Sequence, residues 1–182
     1  SSLGGRSGSV LRRLQVPGAS NSGSALYNSG RATVDSAMLT RNQATNNGTI
    51  YNDGALTVEN STFAYNNNRR GGGLYNSTGY TATVTNSTFG HNGTSEGGGI
   101  HNRGVLTVTN STFAENTVTE GGGIYNRSTM SVINSTFADN TTRYAEGIQN
   151  AGTLTLINSL FKGKALNIPN CSGNASPVRL NN

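Results

Sequence analysis

Eight carboxylates and two histidines are the side chains of this 182-residue chain best suited to moving protons or holding a cation. Six of the carboxylates fall into pairs 24 residues apart, Asp35 with Glu59, Glu96 with Glu120, and Glu115 with Asp139, and His91 stands a further 24 residues before Glu115. Two carboxylates on one face can act as acid and base or bind calcium, the chemistry by which sugar chains are cut. That chemistry also needs a fuller acidic cluster with a basic residue, and eight acids in 182 residues form some in-phase pairs by chance. No catalytic residue, metal ligand or cofactor is therefore assigned. Cys171 is the single cysteine, so it supplies neither a disulfide framework nor a metal cluster.

Two further columns offer binding rather than catalysis. Tyr27, Tyr51, Tyr75, His101 and Tyr125 form a ring column expected to face outward, where rings bind sugars or a protein, or simply pack on one another. Arg69 and Arg70 lie in a variable link opposite Glu96 and Glu120, as part of the same ligand face or as plain surface ion pairs. Thr33, Thr57, Thr83, Thr107, Ser131 and Thr155 form an outward hydroxyl column, with Thr81, Thr85 and Thr109 beside it. Flat threonine arrays can order water as an ice-binding face. Here Arg31, Asp35 and Glu59 interrupt the array, and threonine is in any case a favoured exposed strand residue.

Only a scaffold that brings the chain back to the same place every turn can line these residues up. The asparagine of a Tyr/His/Gln-Asn pair recurs at Asn28, Asn52, Asn76, Asn102, Asn126 and Asn150. A second column runs Asn60, Asn86, Asn110, Asn134, Asn158, and a third runs Asn42, Asn66, Asn92, Asn116, Asn140. Phe63, Phe89, Phe113, Phe137 and Phe161 keep the same phase, with Leu39 in the first unit. Within a unit, apolar residues alternate with polar ones, as in Leu106-Thr107-Val108, which is the pattern of a half-buried strand and not of a helix. Three short strands and three asparagine-marked corners per unit predict an all-β, three-sided parallel β-helix of about six coils.

In such a solenoid a residue recurring each period sits above its counterpart at the ~4.8 Å strand spacing, so asparagine amides can donate to one neighbour and accept from the other. All three asparagine columns are expected to form ladders of this kind. The Asn-Ser-Thr sequons of the second column would then be buried and unable to carry a glycan. The glycine triplets Gly71 to Gly73, Gly97 to Gly99 and Gly121 to Gly123 suit a corner where a Cβ would clash. A thin core also accounts for an apolar fraction of 32%, well under the usual ~45–50%.

The ends lack the sequence period. Residues 1–21 are read as a cap or assembly segment using Leu11, Leu14 and Val16, residues 22–162 as the repeats, and residues 163–182 as a second cap or tail using Leu166, Ile168, Val178 and Leu180. The net charge of +5 comes from scattered arginines without a nucleic-acid motif, so no nucleic-acid partner is expected. No apolar run approaches the ~18 residues of a membrane-spanning helix.

The units resemble the GGGIYN and TLTVTNSTFxxN repeats of bacterial right-handed parallel β-helix surface proteins, and are similar to polymorphic outer-membrane protein repeats. Gly98-Gly99-Ile100 with Phe113-Ala-Glu-Asn116, and Gly122-Gly123-Ile124 with Phe137-Ala-Asp-Asn140, carry both signatures in phase. Asn170-Cys171-Ser172-Gly173 resembles the stretch that closes such repeat blocks. The resemblance implies right-handed winding, export with the leader removed, and a structural or adhesive role outside the cell or on its surface. The expected protein is a non-catalytic β-solenoid, assembling end to end with copies of itself. The alternatives are a lateral face for extracellular glycans or proteins, a cleaving enzyme on the scaffold shared by pectate lyases and polygalacturonases, and an ice-binding face.

Overall fold

Alternation sets the strands. In Val105–Thr109, Leu106 and Val108 point inward and Val105, Thr107 and Thr109 outward, and every coil repeats this five-residue strand. The structure, a computed structural model, describes residues 25–162 in full. Outside that span it describes the backbone of Leu3–Gly5, Ser9–Arg12, Gln15–Pro17, Ser20–Asn21, Leu166–Asn167 and Arg179–Asn181. Leu14, Ile168 and Val178 lie outside the described residues.

The strands stack into three parallel sheets, one for each face of a β-helix. The first face runs from Leu3–Gly5 through Ile50–Asn52 and Ile100–Asn102 to Leu166–Asn167. The second runs from Ser9–Arg12 through Ala55–Glu59 and Val105–Thr109 to Arg179–Asn181, and the third from Gln15–Pro17 through Thr62–Ala64 to Leu160–Phe161. Pairing is in strict column register, as in Leu74↔Ile100, Val84↔Val108 and Phe89↔Phe113. Among the described residues there is no helix.

The interior consists of apolar columns one side chain wide. Ile50, Leu74, Ile100 and Ile124 fill the first face, Val58, Val84, Val108 and Val132 the second, and all are fully buried. On the third face Phe63 to Phe161 stack ring on ring at 4.6–5.0 Å with planes within 6°. The glycine triplets make this stack possible. A Cβ on Gly99 would stand 2.5 Å from Phe113 Cδ1, and Gly97 adopts φ +66, which side chains disfavour.

Two of the three corners carry buried asparagine ladders. At the first, each Nδ2 donates to the next coil's Oδ1, from Asn28 to Asn52, Asn76, Asn102, Asn126 and Asn150, over 2.7–2.9 Å. At the third, Asn42, Asn66, Asn92, Asn116 and Asn140 are joined the same way over 2.8–3.0 Å. Backbone N–H groups add to the third ladder, as from Asn92 N to Asn116 Oδ1 at 3.0 Å.

The second corner departs from expectation. Asn60, Asn86, Asn110, Asn134 and Asn158 are exposed and take left-handed φ of 47–50°. Asparagine tolerates that conformation, and the turn it makes swings its side chain out and the following serine in. The buried ladder here is therefore made of serines. The backbone N–H of Ser61, Ser87 and Ser111 donates to Oγ of Ser87, Ser111 and Ser135 over 3.1–3.2 Å. Each Oγ in turn donates to the carbonyl two residues back, as in Ser87 Oγ to Thr85 O at 2.8 Å.

The N-terminal segment lays one further strand on each face. Its strands pair in register with the first repeat, Leu3↔Leu26, Leu11↔Val34 and Val16↔Leu39, an offset of 23 residues. At the other end Leu166 pairs with Ile148 and Leu180 with Leu156. The sheets continue into both flanks although the residue pattern does not.

These two corners predict opposite outcomes for two asparagine substitutions. Asn116→Ala leaves the N–H of Asn92 and one of its two Nδ2 hydrogens unpaired, the other still reaching Phe63 O, and should cost about 1–3 kcal/mol per buried group left unpaired. Asn110→Gly keeps the left-handed turn and removes no buried bond, so its change should stay within about 0.5 kcal/mol. Urea unfolding of the two variants measures the difference.

Candidate functional site

The ring column stands on the first face beside the first corner, and its side chains leave the sheet away from the core. Tyr27, Tyr51 and Tyr75 stack face to face at 5.5 and 5.2 Å with planes within 7°. Tyr75 meets His101 tilted by 31°, and His101 meets Tyr125 edge-on at 68°. The column does not lie open as expected. Tyr27 is 41% exposed, but Tyr75, His101 and Tyr125 are buried at 5%, 1% and 8%. Moreover, the ring faces that would stack on a sugar are occupied by one another, which leaves the edges. Tyr27 donates its hydroxyl to Asp53 Oδ2 at 3.0 Å, and Arg103 reaches the Tyr75 hydroxyl at 3.5 Å.

His101 is the irregular member. Its Nδ1 lies 3.1 Å from Glu96 Oε2, off the line of a hydrogen bond, and Nε2 has no partner among the described residues. Glu96 reaches it from the link strand Gly93–Glu96 and also meets Arg70 Nε at 3.5 Å. Arg70 of the predicted ligand face is thus spent on an ion pair, while no described contact joins Arg69 to that cluster. Burial pushes the imidazole below its ordinary value near 6.5, although Glu96 pulls the other way. Contact with His101 in turn holds the Glu96 carboxyl below the usual range, against its own burial.

The carboxylate pairs share columns but not a site. Glu115 and Asp139 both sit at left-handed positions before the third-corner asparagines. Glu115 turns back to His91 Nδ1 at 3.4 Å, and Asp139 turns forward to Lys162 Nζ at 2.8 Å. Asp35 and Glu59 lie in register, with Asp35 accepting from Ser36 Oγ at 3.0 Å and Asn60 Nδ2 at 3.1 Å. Glu96 pairs in register with Glu120 but faces His101. Among the described residues no group of three or more His, Cys, Asp or Glu stands together as a metal site would.

The sequence reading missed two features. One is the exposed third-corner column, where Arg41 lies 5.8 Å from the Tyr65 ring centre and Tyr65 stacks on His91 at 4.7 Å. The other is the serine ladder, whose signal was present in the equal recurrence of Ser61, Ser87, Ser111 and Ser135.

No family model matches the chain, and no curated protein or solved structure is significantly similar to it.

Two predictions follow from burial. His101 has a lowered pKa in the folded state, so the unfolded state binds more protons once pH drops below about 6.5, and stability should fall there as pH falls. The depressed Glu96 carboxyl adds a loss in a lower window, as pH falls through its folded value below 4.5. His101→Tyr restores the repeat, should add about 1 kcal/mol near neutral pH, and should flatten the decline between pH 6.5 and 5. Chemical unfolding across that range tests both effects. Secondly, folded protein secreted from a eukaryotic host should carry N-glycans at the exposed Asn60, Asn86, Asn110 and Asn134. Asn76, Asn92, Asn126 and Asn140, also in sequons but buried in ladders, should carry none. Glycopeptide mass spectrometry distinguishes the two sets.

Proposed function

We propose that this chain is a non-catalytic structural or adhesive rod, exported to the cell surface or beyond, that lengthens by adding copies of itself end to end. One observation carries the reading. Among the described residues, each of the three sheets ends on either side in a strand paired along one edge only: Leu3–Gly5, Ser9–Arg12 and Gln15–Pro17 on one side, Leu166–Asn167, Arg179–Asn181 and Leu160–Phe161 on the other. An open parallel edge is a template for another strand. Leu11, Val16, Leu166 and Leu180 all belong to these edge strands, in keeping with an assembly role for the flanks.

The two ends are also unlike in a useful way. The amide-to-amide bonds of both asparagine ladders run one way, each from Nδ2 of one coil to Oδ1 of the next coil on the C-terminal side. Copies stacked head to tail keep that sense across the joint. A heterologous contact of this kind does not close on itself and builds an open filament. The non-catalytic reading is supported by Asp35, Glu96, Glu115 and Asp139, which are turned toward neighbours of their own rather than toward a shared substrate position. Export and surface display are supported by the repeat resemblance.

Electron microscopy with light scattering over a concentration series tests the proposal. Rods that lengthen with concentration in steps of one chain are expected. Single-chain particles at every concentration would overturn end-to-end assembly.

A further inference from the structure

The second face changes character along its length. In its first repeats the outward positions include Arg31, Asp35 and Glu59. From Thr81–Thr85 through Val105–Thr109 and Thr129–Ile133 to Thr153–Ile157, every outward position is Thr, Ser, Val or Ile. Across the second corner the charge-free surface continues through exposed Asn86, Asn110 and Asn134 to the outward Thr88, Thr112 and Thr136 of the third face. The charges of these same coils, such as Glu115, Asp139 and Arg127, stand at the other corners. Exposed sheet in a soluble protein ordinarily carries charged side chains, which keep other sheets away. Their exclusion from the second face and the adjoining strip of the third calls for a cause.

The hydroxyls of that region are uncommitted. Among the described residues, Thr49 Oγ1 donates to Gly72 O and Thr94 Oγ1 to Glu96 O, whereas the second-face threonines make no side-chain hydrogen bond. They are nevertheless fixed in space. Threonine is stiff at χ1, and the face is pinned at one border by the asparagine ladder and at the other by the serine ladder. The result is a rigid net of hydroxyl and methyl groups with periods of ~4.8 Å between coils and ~6.6 Å between alternate residues. The period between coils lies close to the shorter oxygen repeat of hexagonal ice, and the period along a strand falls short of the longer one. Charged groups would hold hydration shells that do not fit such a lattice. A crystalline polysaccharide would call for aromatic faces, and the region presents none.

We infer that the charge-free part of the second face, centred on Thr83 and Thr107, is an ordered-water surface whose ligand is ice. The inference is independent of end-to-end assembly, since it needs only one chain.

The test is freezing hysteresis and ice-crystal shape measured on the purified chain, with circular dichroism to verify folding. The chain is expected to hold freezing below melting and to facet the crystals. Thr107→Lys should lose most of the freezing gap, while Thr117→Lys, exposed on a link strand away from this face, should keep it. The triple change Arg31→Thr, Asp35→Thr and Glu59→Thr extends the net toward the first coils and should widen the gap. Absence of any gap in the folded chain overturns the inference, as does an unchanged gap in folded Thr107→Lys. A chain that is dimeric without ice activity and becomes monomeric in Thr107→Lys also overturns it, because the face would then be covered by a second copy.

Discussion

The structure depends on a single requirement, that each coil close after one period so that every side chain lies on its own counterpart. Buried amides enforce it. An asparagine in the interior of a thin solenoid has no water to turn to, and leaving its donor unpaired costs more than a typical hydrogen bond gains. Its partner exists only if the coils above and below are in phase. The asparagine ladders at the first and third corners and the serine ladder at the second therefore fix the rotation and rise of every turn together. Once that is set, apolar columns one residue wide are enough, because each ring or methyl is covered along the axis by its own kind.

Much of this was legible because the period is written in residue identities. Asn102, Asn116, Phe113 and Ile100 recur in phase, and stacking turns recurrence in sequence into contact in space. The direction in which Asn110 points was not legible. Its column repeats as faithfully as the others, but a left-handed turn residue breaks the alternation that assigns inside from outside. The cover over His101 was hidden for a different reason: it comes from Glu96, in a link whose residues vary between coils. The register of Leu11 and Val16 was illegible because there the apolar positions recur at an offset of 23 without the in-phase asparagines and phenylalanines that mark the other coils.

The corners divide the chemistry of the molecule. The first gathers the rings with Asp53, Arg103 and Glu96, and the third carries the exposed line from Arg41 through Tyr65 and His91 to Asp139. The second bears neutral asparagines alone after the first coil. Since corners project beyond the sheets, they hold charge at no cost to the stacking of the faces. The flat surfaces between them are free to be uniform.

One coil is two residues longer than its neighbours, and the extra length lies wholly in the turn containing Ser77, Thr78, Gly79 and Tyr80. The ladder passes through undisturbed, with Asn76 still donating to Asn102 at 2.9 Å. The local bond is kept across the longer turn, from Asn76 Nδ2 to Tyr80 O at 3.4 Å, and Gly79 takes φ +86 to close it. Sheet register on either side of the turn is preserved. The first corner is thus a place where the lineage can lengthen the chain without retuning any other coil. Novelty can be acquired there one turn at a time, while the stacked interior is inherited intact.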